Sequence, residues 1–361
     1  MGEDADLRNR HLVLPLAAGH RFPMCKYAKL RDLVNEIAAA QIRERPPASD
    51  AQLALAHDIH YATALAALER FGDIPMLDSA PLPRRAARPG KRPMNDTVVR
   101  ARDGAIATLT LNRPAALNAL DFAMVDALVA HTSAIAADPE VRVVVVRGAG
   151  RHFMAGGDIR VFARSLASAS DECKRSFQGM VTRVHTAIET LARMPQPVIA
   201  SVRGAVAGFG LSLANACDLV FASEDAYFAS AYLQLAVTPD GGGSYWLPRI
   251  VGARKAAEIL ILGERFDASQ AQALGIVNRV VPGDALDAAV SQAAHKLAAA
   301  PRLAMQNLKR LLRESAQHSL AEQLAEEARS FGECTGSDDF AEGIGAFLEK
   351  RAPRFHGGEP S

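Results

Sequence analysis

Two small-residue turns stand out as places where backbone could do chemistry: HFMAGGDI (His152–Ile159) and GAVAGFG (Gly204–Gly210), each directly after a β-branched run. A strand that ends in a Gly-rich turn and re-enters as a helix leaves N–H groups unpaired and aimed outward. Two such groups side by side read as an oxyanion hole, able to hold the negative oxygen that develops when a carbonyl becomes an enolate. A third turn, TPDGGGS (Thr238–Ser244), carries an acidic side chain, Asp240. Burial against apolar walls would raise the pKa of such a carboxylate and suit it to move a proton. Pro-Asp-Gly is also turn chemistry, so Asp240 either shuttles a proton or caps the element that follows.

The elements that must position these turns alternate between strand and helix periods. Val98–Asp103 and Ala105–Leu111 are β-rich runs joined at Asp103-Gly104, a hairpin signal. Asp121 can cap a helix whose apolar positions Phe122, Val125, Leu128, Val129 and Ile135 recur at helical spacing. Val141–Val146 leads as a buried strand into the first turn and Pro197–Val202 into the second. A small-residue helix is expected over Leu211–Ala216, with short strands at Leu219–Ala222 and Tyr227–Ala229. The last hundred residues read as helices over Ala253–Leu262, Ala268–Leu274, Ala285–Ala300 and Pro301–Phe331. This pattern predicts an α/β core of stacked strand, strand, helix turns with its ligand turns on one side.

Composition excludes several function classes. The chain has 361 residues, enough for one large core and an appendage. Lys+Arg of 41 against Asp+Glu of 40 provides no global field for nucleic acid or an anionic membrane. Cys25, Cys173, Cys217 and Cys334 are scattered and form no CxxC or Cys/His cluster, so neither a disulfide framework nor a metal site is expected. No apolar run reaches the ~18 residues of a membrane span, and the N-terminus is polar and acidic, so a cytoplasmic protein is expected. SAPLPRRAARPGKRP (Ser79–Pro93), with five basic residues, four prolines and no acidic residue, reads as a linker. The expected organisation is an N-terminal extension over 1–78, the linker over 79–93, a core over 94–298 and a C-terminal helical region over 299–361.

Five ordered blocks carry a family resemblance: LNRPAALNAL (Leu111–Leu120), HFMAGGDI, SVRGAVAGFGLSLANACDLVFAS (Ser201–Ser223), LAVTPDGGGSYWLPRIVG (Leu235–Gly252) and DDFAEGIGAFLEKRAPRF (Asp338–Phe355). Over about Met94 to Phe355 the chain resembles the enoyl-CoA hydratase/isomerase family, the crotonase superfamily. The resemblance implies a crotonase spiral core, a C-terminal helical trimerisation region, homotrimers or dimers of trimers, and an acyl-CoA thioester substrate. CoA enters with the substrate, and no separate cofactor or metal is implied. It places the two oxyanion donors on the N–H groups of Ala155 and Phe209, the latter opening a helix whose dipole adds positive potential. The Phe209 ring is then free to narrow the acyl pocket.

The resemblance also marks Ala115, Leu117, Met154, Gly156, Gly157, Asp158, Ile159 and Gly208 as substrate-binding positions along the first two blocks and turns. The positions that hold two water-activating glutamates in the family's hydratases carry Ser212 and Tyr232 here, and neither side chain is a carboxylate. Water addition needs a base for the water and an acid for Cα, so the expectation moves to a double-bond isomerase with Asp240 as proton shuttle. A divergent hydratase and a non-catalytic acyl-CoA-binding or scaffold protein are the alternatives. Asp158 is expected to brace its loop, Tyr232 to orient substrate or fill core, and His152 to lie at the surface near CoA. Phe347 and Lys350 fall where the family's C-terminal helix reaches the adenine and phosphates of CoA; Lys350 is otherwise an ordinary solvated charge.

Residues 12–65 resemble another family. LVLPLAAGHRFPMCKYAKLRDLV (Leu12–Val34) and PPASDAQLALAHDIHYATAL (Pro46–Leu65) are similar to the start of bacterial histone deacetylase-like amidohydrolases. The similarity stops before that family's zinc ligands. His57 and His60 have no carboxylate partner motif, so no deacetylase activity is expected, and the extension is expected to be mainly helical.

Overall fold

The computed structural model describes residues 97–166 and 169–355. The expectations for the N-terminal extension, for the linker over 79–93 and for His57 and His60 therefore lie outside the described residues.

The chain opens with a hairpin, β1 (Val98–Asp103) and β2 (Ile106–Leu111), paired antiparallel from Val98↔Leu111 to Asp103↔Ile106. Gly104 adopts φ +51° at the turn expected from Asp103-Gly104. Helix α1 (Phe122–Ala136) is capped by Asp121, whose side chain accepts the Met124 N–H. It buries Met124, Val125, Leu128, Thr132 and Ile135; Phe122, expected on that face, stays 40% exposed because it is the first residue of the helix and precedes the buried stripe. Then follow β3 (Val143–Gly148), α2 (Ile159–Ser165), α3 (Ser170–Arg193), β4 (Val198–Val202), β5 (Ala205–Ala207) and α4 (Phe209–Asn215). After β6 (Leu219–Ser223) and β7 (Tyr227–Ala229) come α5 (Gly243–Val251), α6 (Ala253–Leu262), β8 (Phe266–Asp267), α7 (Ala268–Ala273), β9 (Arg279–Val281) and α8 (Leu286–Ala298). The chain ends in α9 (Arg302–Glu314), α10 (Leu320–Thr335) and α11 (Asp338–Leu348).

Among the described residues the strands form a sheet of order β1-β2-β3-β4-β6-β9, parallel from β2 onward, and a smaller sheet of order β5-β7-β8. Alternation in the large sheet sorts its side chains between two cores. Ile106, Val143, Val145, Ile199 and Phe221 face α8, against Leu286, Val290 and Ala294. Leu109, Val144, Val146, Ala200, Val220 and Ala222 face the main core with α1 and α3. A parallel sheet covered on both faces explains why the Val143–Val146 run is continuously apolar.

The bridges Leu120↔Gly157 and Met154↔Val206, with β5↔β7, align successive chain turns beside the small sheet. Each turn of the spiral therefore sends one strand to the large sheet and one short pairing segment to the small one. The first two Gly-rich turns lie in those short segments, which brings them together.

Helix α3 is absent from the sequence expectation although Met180, Val184, Ala187, Ile188 and Leu191 trace a buried stripe at helical spacing. The single helix expected over Pro301–Phe331 is instead two. Ser319 and Glu322 form a reciprocal capping box that starts α10 after the short 3-10 turn Ser315–Gln317. Helices α9–α11 leave Leu308, Leu312, Leu320, Leu324, Phe331 and Phe347 half or more exposed.

Candidate active site

The first turn is built against the segment that follows β2. Asn118, fully buried, accepts the Arg113 N–H through Oδ1 at 2.8 Å and donates through Nδ2 to the carbonyls of Ala149 at 2.9 Å and His152 at 2.7 Å. This holds the Leu117 carbonyl beside the turn, where it accepts the Ala155 N–H at 3.1 Å. Ala155, expected as the first oxyanion donor, is thus already committed, because the neighbouring segment consumes its hydrogen bond. Met154, expected to touch substrate, is wholly buried in the core, and its N–H and carbonyl pair with Ala205 and Ala207. Between Phe153 and Asp158, the N–H groups without a partner among the described residues are those of Gly156 and Gly157. Gly156 is buried and Gly157 partly exposed.

Asp158 is a brace. Its Oδ2 lies 2.7 Å from the Arg113 guanidinium and its Oδ1 accepts the Arg160 N–H at 3.0 Å, capping α2. Burial disfavours its charge, but the Arg113 and Arg160 hydrogen bonds outweigh that and hold its carboxyl below the usual carboxylate range. Arg113 also reaches Asp121 at 3.2 Å, joining the first block to the start of α1.

The second turn meets the first at its glycines. A methyl group placed on Gly208 would lie 3.4 Å from the Gly156 Cα, and one on Gly156 3.7 Å from the Phe209 nitrogen. The Gly208 N–H donates to Ala229, whereas the Phe209 N–H, at the start of α4, has no partner among the described residues. His152 does not lie idle at the surface: its Nδ1 accepts the Ala205 N–H at 3.1 Å and ties the two turns together.

The third turn closes over α4. Gly241, at φ +58°, has room for no side chain: a methyl group there would lie 2.9 Å from the Phe209 ring and 2.9 Å from the Ser212 Cβ. The Phe209 ring is therefore packed under this turn, 2% exposed. Ser212 Oγ and Tyr232 OH lie 3.0 Å apart, and the Tyr232 hydroxyl donates to Asp240 Oδ1 at 2.6 Å. The two residues at the positions expected for glutamates thus form a polar chain ending on Asp240. Burial, then the neighbouring Asp240 charge, push the Tyr232 hydroxyl pKa up, which keeps it a hydrogen-bond donor. Burial also pushes the Asp240 carboxyl up, against the opposing pull of the Tyr232 hydrogen bond and nearby His185. Asp240 Oδ2 has no hydrogen-bond partner among the described residues.

His185, on α3, escaped the sequence reading. Its Nε2 accepts the Gly241 N–H at 3.0 Å across a separation of 56 residues. A lone histidine next to a core valine carries no motif, and only recognition of α3 as an amphipathic helix would have placed it near the site.

The remaining expected positions lie apart from this centre. Ala115, Leu117 and Ile159 are exposed along the rim of the first turn. Phe347 is 82% exposed at the end of α11, and no hydrogen bond or ion pair among the described residues ties it or Lys350 to the three turns. No group of three His, Cys, Asp or Glu side chains among the described residues is placed to hold a metal ion, and no described helix is long and apolar enough to cross a membrane.

Comparison with known proteins agrees with this architecture. Residues 101–358 match the family model for enoyl-CoA hydratase/isomerase. The chain is 36% identical over 265 residues to the 2,3-dehydroadipyl-CoA hydratase of Escherichia coli K12, covering 73% of this chain and 100% of that protein. It is 33% identical over 253 residues to the 1,2-epoxyphenylacetyl-CoA isomerase of the same organism, covering 70% of this chain and 95% of that one. The crystal structure of an enoyl-CoA hydratase from Polaromonas sp. JS666 superposes with a TM-score of 0.68 at 34% identity, over 72% of this chain and 99% of that one. With its spiral of paired sheets and its converging glycine turns, this chain belongs to the enoyl-CoA hydratase/isomerase family.

Proposed function

We propose that this family member shifts a double bond in an acyl-CoA thioester, with Asp240 carrying the proton and the N–H of Phe209 forming the oxyanion hole together with an unpaired glycine N–H of the first turn. The observation that carries the reading is the Tyr232–Asp240 contact of 2.6 Å, which holds one carboxylate oxygen and leaves the other free. The nearby Asp158 is spent on Arg113. In the forward direction, Asp240 Oδ2 removes a proton from C2 of a 3-enoyl thioester. The electron pair passes into the thioester carbonyl, and the dienolate oxygen is held by the two N–H groups, a type of stabilisation worth about 3 kcal/mol per donor. Protonated Asp240 returns the proton to C4, the double bond settles between C2 and C3, and the carboxylate is restored.

Hydration is the second reading, favoured by the names of relatives such as the 2,3-dehydroadipyl-CoA hydratase. It requires water to be activated without the two glutamates, since Ser212 and Tyr232 stand at those positions. An Asp240→Asn variant assayed on paired 2-enoyl and 3-enoyl thioesters separates the readings. Isomerisation should fall by a factor of about 10²–10⁴, the usual contribution of a positioned acid–base group. Equal turnover by wild type and variant would remove Asp240 from the mechanism, and water addition faster than isomerisation in the wild type would make the protein a hydratase. CoA binding by both proteins without turnover of any thioester would favour a binding role.

The apolar face on α9–α11 supports self-association into a homotrimer or a dimer of trimers, in which Phe347 and Lys350 would reach a neighbouring subunit's CoA. The N-terminal 12–65 segment enters this reading as an amidohydrolase-like fragment without a catalytic part.

A further inference from the structure

The Asp240–Gly241 peptide unit is gripped at both ends. Its carbonyl, on Asp240, accepts the Gly243 N–H at 3.0 Å, and its N–H, on Gly241, donates to His185 Nε2 at 3.0 Å. This peptide unit leaves from the Asp240 Cα, whose side chain meets Tyr232 through Oδ1. Steric contact alone does not supply the grip. Gly241 rests on Phe209 and Ser212 from one side, while His185 reaches it from α3 on another.

We propose that His185 is a positioning residue for the proton carrier: its neutral, Nδ1-protonated imidazole holds the Gly241 N–H and so aims the Asp240 carboxylate. The tautomer follows from the contact, because a nitrogen that accepts an N–H carries no proton of its own. Protonation of the ring turns Nε2 into a donor facing a donor, and the turn must then release the imidazole. The His185 ring is exposed, so solvent protons reach it. Asp240 faces it from the third turn. Of the other charges on or against α3, Glu189 pairs with Arg193, Asp126 of α1 with Arg183, Lys309 of α9 with Asp218 and the Leu191 carbonyl, and Arg313 of α9 with Glu314 and the Ala192 carbonyl, while Asp171, Glu172, Lys174 and Arg175 lie on its first two turns.

The kinetic arm of the test rests on the Asp240 mechanism above; the spectroscopic arm rests on the geometry alone. His185→Gln places an amide oxygen, an acceptor that does not titrate, where Nε2 sits, and His185→Phe removes the acceptor. On a 3-enoyl thioester, the Phe variant should lose about tenfold in kcat at pH 8 with KM little changed, and the Gln variant should recover most of it. Wild-type kcat in the Phe variant overturns the proposal, as does a Gln variant that recovers none of the loss. Independently of turnover, the Gly241 amide resonance of the whole protein should titrate together with the His185 ring in the wild type and be flat in the Gln variant. A Gly241 amide that ignores the protonation of His185 overturns the proposal whatever the enzyme catalyses.

Discussion

Replacing Tyr232 by Phe removes one hydroxyl from the polar chain and tests how the site sets the basicity of Asp240. The lost hydrogen bond is short, 2.6 Å, and made to a charged oxygen. Bonds of this kind are worth about 1.5–3 kcal/mol. At 1.36 kcal/mol per pKa unit, the Asp240 pKa should rise by about one to two units, because the donor that favours the ionised form is gone. The acid limb of kcat should therefore move to higher pH by that amount, with activity largely retained well above it.

The same bond has a stability signature with a defined sign. Burial already raises the native Asp240 pKa above that of the unfolded chain. The native state then holds its proton more tightly, and its stability falls as pH climbs from about 4, the unfolded value, through the native pKa. Tyr232→Phe deepens that fall. Its destabilisation measured by urea unfolding should be larger at pH 8 than at pH 4 by about 1.5–3 kcal/mol. The hydroxyl left alone on Ser212 adds a cost common to both pH values and cancels in the comparison. An acid limb that stays in place or moves down, or a destabilisation independent of pH, would refute the reasoning.

Gly241→Ala forces a methyl group to within 2.9 Å of both the Phe209 ring and the Ser212 Cβ and fixes an L-residue at φ +58°. Strain and overpacking together should destabilise the fold by about 2–4 kcal/mol in urea unfolding, with kcat falling at least as steeply as for His185→Phe. A stable, fully active variant would mean that the third turn is not clamped against α4. On the exposed helical face, Leu312 and Phe331 are 68% and 69% exposed. The double variant Leu312→Lys, Phe331→Lys should shift the mass measured by light scattering toward that of a single chain, and an unchanged mass would place the subunit contact elsewhere.

Local signals were legible where a residue acts on its own neighbourhood. Asp121 caps α1, Asp103-Gly104 turns the first hairpin, and the Val143–Val146 run is a strand buried on both faces, all as their types and spacing predict. The same reading failed where partners come from afar. Pro301–Phe331 looked continuous because each half is helical, and the break depends on a Ser319–Glu322 capping pair. Long, polar-faced α3 was passed over, and His185 with it.

The sequence by itself determined the materials of the candidate site: Gly-rich turns after buried strands, an aspartate in the third turn, and the hydroxyl side chains of Ser212 and Tyr232. Tertiary structure decided which of those groups are free to act. A turn offers several N–H groups, and only the position of the Leu117 carbonyl, brought alongside by Asn118, commits Ala155 and leaves Gly156 and Gly157 unpaired. The Asp240 side chain likewise meets Tyr232, and the Gly241 N–H beside it meets His185, each held on a separate element. The physical reason is the same in both cases. Local propensity sets the conformation of a turn, whereas the satisfaction of its hydrogen bonds depends on neighbours that only the folded chain brings within reach.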